Sequence, residues 1–140
     1  MAAIKGLKST SSLIAISGFV QESAANTFTQ VQIDLQLNPL DNEVFVVQAI
    51  DMNLTPPDAD VTATSTQTSA SLSTTSRTGL GSIAFSSVMS EAQEKLVNDV
   101  GSGALAPFSR KAGETPATDL PYIQIIATND FFAQVQGNNN

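Results

Sequence analysis

Thr27-Phe28-Thr29-Gln30-Val31-Gln32-Ile33-Asp34-Leu35-Gln36-Leu37 is the stretch that decides the fold class. Val31, Ile33, Leu35 and Leu37 alternate with Gln32, Asp34 and Gln36, the period of a strand that buries one face. Asn38-Pro39-Leu40-Asp41-Asn42 follows with turn chemistry, because Pro fixes φ and Asn and Asp bond their own backbone. Residues 43–54 then predict a second long strand, with Val44, Val46, Ile50, Met52 and Leu54 on one side and Gln48 as the interruption. Phe45, Val47 and Ala49 make its first half apolar on both sides, so a second sheet, a helix or a neighbouring subunit has to cover it. These three are therefore subunit-interface candidates, and an antiparallel β-sandwich is the expected architecture.

The same reading extends to both ends of the chain. Residues 11–20, rich in Ile, Leu, Phe and Val, predict a first strand. Residues 122–127 and 131–136 predict two more, separated by Thr128-Asn129-Asp130, with Phe132 opposite in parity to Phe131, Ala133 and Val135. Phe132 joins the interface candidates. Thr55-Pro56-Pro57-Asp58 ends the second long strand, since consecutive prolines neither donate to a ladder nor continue a helix.

Residues 61–78 are mostly Ser and Thr, with Thr62, Thr64, Thr66 and Thr68 sharing one parity. β-Branched Thr favours extended backbone, and alternation without an apolar face suits an edge strand, a surface ribbon or a low-complexity linker. An edge of this kind invites pairing with another chain, so the four threonines are further interface candidates. One helix is expected near 87–100, where Val88, Ala92, Leu96 and Val100 recur at i, i+4, Ser90 and Gln93 form a capping box, and Gly101-Ser102-Gly103 provides a stop. Residues 104–118, with Pro107, Gly113 and Pro116, read as a loop. The organisation expected is an N-terminal arm at 1–10, a single mainly β domain at 11–137 and a frayed tail at 138–140.

At 140 residues the chain fits one domain. Ser, Thr, Asn and Gln far outnumber the charged residues, which are 14% of the chain. Such a neutral surface dehydrates at lower cost than a charged one, and charge is depleted from interface centres, so the composition suits repeated contacts with copies of the same chain. A Ser/Thr-rich extracellular domain is the alternative source of that composition. The net charge of −7 with only six Lys and Arg disfavours wrapping of nucleic acid, for which weak or no direct binding is expected. Lys5 and Lys8 stand before any acidic residue, making the arm a candidate genome- or membrane-facing element, or a solvated terminus. The apolar run behind them, broken by Ser17 and Gly18, does not read as a signal peptide.

With no His, Cys or Trp in the sequence, the usual general base, thiolate and soft metal ligands are missing, and no catalytic residue, cofactor or metal is assigned. The chain is read as a non-enzyme. Asp58 and Asp60 have the oxygen chemistry of a Ca²⁺ ligand pair, but no calcium-loop glycine and closing glutamate accompany them, so solvation of a turn is the favoured reading.

Residues 43–51, the Ser/Thr tract with Thr74-Thr75-Ser76, and the closing run 119–137 resemble coat (capsid) proteins of uncultivated marine viruses. The resemblance implies a self-assembling, icosahedral virion shell subunit, a single jelly roll with a compact α+β coat fold as competitor, production in the host cytoplasm, and partners that are copies of itself and other virion proteins. A second expectation from another class is an extracellular adhesin, pilin-like or surface-layer module that uses edge-strand pairing. A carbohydrate-binding sandwich is a third, disfavoured by the absence of Trp and a single Tyr.

Overall fold

Alternating Ser and Thr give β3 its shape, and β3 organises everything else. The computed structural model describes residues 15–35, 37, 43–60, 62–99, 102–112, 122–128 and 130–139. Seven strands lie within them: β1 (Thr29–Gln32), β2 (Phe45–Val47), β3 (Ser65–Ser73), β4 (Val88–Asp99), β5 (Ala104–Ala112), β6 (Gln124–Ile126) and β7 (Phe132–Asn139). Five of them form an antiparallel sheet in the order β1-β7-β3-β4-β5, and β2 pairs with β6 in a second, two-stranded sheet. The mainly β, antiparallel expectation holds.

Two expectations for this region are corrected. Over residues 65–73 the Ser/Thr tract is no edge or linker: β3 is the central strand, paired with β4 on one side and β7 on the other, and 74–78 enter the loop that follows it. The expected helix near 87–100 is strand β4, and no helix occurs among the described residues. Val88, Ala92 and Leu96 are spaced by four, and four is a multiple of the strand's period of two as well as close to the helix's 3.6, so this spacing suits either element. Strand partners on both sides decide the matter. Of the residues read as a helix stop, Ser102 and Gly103 belong to a hairpin turn, in which their N–H groups donate to Asp99 O at 3.1 and 2.7 Å and Gly103 adopts φ 74°, while Gly101 lies outside the described residues.

Other boundaries shift. No strand is present over residues 15–20, and 11–14 lie outside the described residues together with Lys5, Lys8 and the whole arm. The run read as a loop from 104 supplies β5, an edge strand that tolerates Pro107. Asn138 and Asn139, read as frayed tail, are the last residues of β7, held by Gln67 and Thr66 in register.

The two faces of the large sheet differ. On one side β3 presents Thr66, Thr68, Ala70 and Leu72, and this side receives the small sheet. Leu35, Val47, Met89 and Ile126 are buried together there, with Phe45, Leu72, Ile123 and Phe131 packed around them. A bulge supports this packing. Ser73 pairs with Val88 and Leu72 with Ser90, so Met89 is the extra residue and reaches the cluster. Ser90, completely buried, sets its hydroxyl 2.9 Å from Ala112 O and 3.0 Å from Met52 Sδ instead of capping a helix.

The opposite face is built from amides and hydroxyls. Ser71, Ser73 and Gln134 have no exposed surface. Gln134 Nε2 donates to Gln30 Oε1 at 2.9 Å and Ser73 Oγ at 2.8 Å, while its Oε1 accepts from Ser71 Oγ at 2.7 Å. The loop 74–87 closes over them: Gly81 N–H donates to Ser71 Oγ, Arg77 N–H to Gln30 Oε1, and Ser73 Oγ–H to Thr75 O. Small serines let the loop approach this closely, and every buried side-chain polar atom among the described residues has a partner.

Candidate functional site

The residues expected at a subunit interface separate into three groups. Phe45 and Val47 belong to the molecule's own core: Val47 is 6% exposed, Phe45 is half-buried beside Ile126, and Ile123 N–H bonds Val47 O at 2.7 Å. The Phe45 and Val47 side of that strand is covered internally, in the cluster it shares with Leu35, Met89 and Ile126. Ala49, beyond the end of β2, is exposed. Phe132 is half-buried on the polar face, in register between Gln32 and Ser73.

The threonines divide along the strand. Thr62 is exposed and donates its N–H and O–H to Asp60 Oδ1 at 2.8 and 2.6 Å, an Asx turn that gives Asp60 a structural role. Thr64 is exposed, and its carbonyl accepts Asn98 N–H. Thr66 is buried with its hydroxyl on Asp58 O at 2.9 Å, and Thr68 is half-buried. Among the described residues no three His, Cys, Asp or Glu side chains gather as metal ligands.

Beyond the small sheet, the core-side face of the large sheet carries an open cleft of about 1040 Å³. Its floor is Thr66, Thr68, Ala70 and Val135, and its walls are two straps of irregular chain, residues 16–26 and 49–58. A carboxylate fastens the first strap. Glu22 Oε1 accepts the N–H of Thr27 at 3.0 Å and the N–H of Gly137, joining the strap to β7 where β1 no longer pairs. A Cβ at Gly137 would stand 3.0 Å from Glu22 Oε2, so the absent side chain gives the carboxylate its place. Apolar Phe19, Ile50, Leu54 and Pro56 line the cleft alongside the acids Glu22, Asp51 and Asp58. Among the described residues that line it there is no Lys or Arg.

On the far edge of the sheet lies the second unusual surface. β5 is exposed from Ala104 to Lys111 on both faces, with Leu105 49% and Phe108 59% exposed and on opposite sides. Arg110 Nη2 reaches Glu91 Oε1 at 3.3 Å, and Lys111 Nζ lies 4.0 Å from Asp51, which is 94% exposed. The register fixes which way the β5 backbone points. Asn98 N–H donates to Thr64 O on the β3 side, so by antiparallel alternation Val97 and Lys95 bond across to Ala106 and Phe108. Leu105, Pro107, Ser109 and Lys111 consequently turn their backbone outward, and Pro107 brings no N–H to that edge.

Neither surface was found by sequence reasoning. Proline led residues 104–112 to be read as a loop, although the run alternates Leu105, Pro107 and Ser109 against Ala106 and Phe108. The cleft is assembled by straps without a periodic pattern. No protein-family model, curated protein or solved structure matches this chain.

Proposed function

We propose that this chain is a structural subunit that self-assembles into a virus shell, with copies of itself as principal partners, and that it is not an enzyme. The supporting observation is its surface. Phe19, Phe85, Leu105 and Phe108 stand exposed, while among the described residues the largest hydrophobics below one-tenth exposure are Leu, Ile, Met and Val. Contacts with sibling molecules would remove that apolar area from water.

Within this proposal the small sheet and the large one act as a reduced antiparallel sandwich. A jelly roll has eight strands in two Greek keys, whereas the described residues show seven in a five-and-two arrangement. The shell reading therefore does not depend on that topology. Location in the virion after synthesis in the host cytoplasm, contacts with other virion proteins, and weak or no direct nucleic-acid binding belong to the same proposal. The adhesin alternative was built on a free Thr-rich edge, and β3 is flanked on both sides.

Light scattering coupled to size-exclusion chromatography, followed by negative-stain microscopy, tests the proposal. The expected outcome is closed particles or large oligomers. A monodisperse 14.6 kDa species at every pH and salt concentration tried would sink it.

A further inference from the structure

We infer that Pro107 is the residue that keeps the five-stranded sheet from being extended by a strand of another chain. The guard serves a shell subunit and a monomer alike, and it restricts contacts between copies to the faces and loops of the sheet.

Among the described residues, β5 is the one long edge that needs guarding. The opposite edge strand, β1, is four residues long and turns only Gln30 and Gln32 outward, since Ile33 N–H bonds Phe131 O on the β7 side. Its ladder stops at Glu22. Continued by one more bonded pair, it would join Thr27 to Gly137, and the N–H groups of both residues donate instead to Glu22 Oε1. In the small sheet, β2 and β6 have three residues each, and very short strands are poor templates for pairing.

β5, by contrast, is nine residues long and exposed from Ala104 to Lys111. Leu105 and Phe108 add apolar area on opposite faces, which makes such an edge adhesive. Charge does not protect it. Glu91, Glu94 and Asp99 stand beside Lys95, Arg110 and Lys111, so an arriving strand meets both signs. The backbone protects it instead. Leu105, Pro107 and Ser109 belong to the row that faces away from β4, with Pro107 between the other two. A strand laid along this row would bond Leu105 and Ser109, but between them one of its carbonyls would meet a pyrrolidine ring where an N–H belongs. That carbonyl is left without a donor, and the ring stands in the hydrogen's place as a wedge. The orphaned group cancels much of what the flanking bonds contribute, so the edge stays open to water.

Pro107→Val tests this, because valine restores the N–H in a residue that favours strands. Ser109→Val is the control, placing the same side chain in the same row without adding a donor. Sedimentation velocity on dilute protein should show Pro107→Val associating roughly tenfold more tightly than wild type, the effect of regaining about one hydrogen bond. Hydrogen exchange should show its Leu105 and Ser109 amides becoming protected as it associates. Ser109→Val should match wild type in both measurements, and circular dichroism verifies that each variant folds. Pro107→Val protein that associates no more than wild type, or Ser109→Val protein that gains as much, overturns the inference. Protection of Leu105 and Ser109 in assembled wild-type protein overturns it too while leaving self-assembly standing. Wild-type protein that stays monomeric beside an associating Pro107→Val variant supports the guard and removes the shell.

Discussion

Replacing Gln134 by Leu should destabilise the chain by about 3 kcal/mol, because the side chain is fully buried and makes three hydrogen bonds whose partners survive it. The sum follows from what each partner keeps. Gln30 Oε1 retains Arg77 N–H, and Ser73 Oγ still donates to Thr75 O. Each therefore loses one bond of about 0.5–1.5 kcal/mol net. Ser71 fares worse, since its hydroxyl accepts from Gly81 N–H but has nowhere else to donate beneath the loop, a buried orphan costing about 1–3 kcal/mol. For a domain of this size such a loss lowers Tm by about 10 °C. Urea unfolding of dilute protein followed by circular dichroism measures it. Ser71→Ala in the Gln134→Leu background removes the orphan, so the double variant should be more stable than the sum of the singles by about 1 kcal/mol. A Gln134→Leu protein within about 0.5 kcal/mol of wild type, the range of ordinary surface substitutions, would refute the claim that this network holds loop 74–87 on the sheet.

Ile126→Ala should cost about 2–5 kcal/mol because Ile126 is 3% exposed in a small cluster with little to collapse around it, while Val31→Ala, at 38% exposure on the β1 edge, should cost less than about 0.5 kcal/mol. Chemical denaturation of both variants checks the contrast. Gly81→Ala places a Cβ 2.5 Å from Val88 Cγ2, a stiff β-branched side chain, and should destabilise by about 1–3 kcal/mol. Hydrogen exchange should show faster exchange of the Gly81 amide as the loop lifts. Glu22→Ala frees the N–H groups of Thr27 and Gly137, and a cost of about 1–2 kcal/mol is expected since water replaces part of the interaction. Limited proteolysis should then cut the strap 16–26 before the sheet.

Strand content was legible from local pattern because a period of two is written in neighbouring residues. Val31, Ile33, Leu35 and Leu37 announce extended chain, and Tyr122 to Gln136 does the same around β6 and β7. A spacing of four at Val88, Ala92 and Leu96 carries no such information, since both regular structures accommodate it, and here only the neighbours β3 and β5 select the strand. Proline behaved likewise: Pro107 forbids a central strand but not an edge, and which position a strand takes in a sheet is a long-range property.

The amino-acid order alone determined extended backbone, a neutral amide and hydroxyl exterior, and the lack of His and Cys chemistry, because each of these is a property of single residues or of adjacent ones. Tertiary structure decided that the serines of β3 lie at the centre of the sheet under a loop, that Phe45 and Val47 are core and not contact surface, and that residues 104–112 form an exposed edge strand whose Lys111 reaches Asp51 at the cleft. Those outcomes depend on which strands pair and which face the small sheet covers, and pairing is fixed by contacts between residues far apart in the chain.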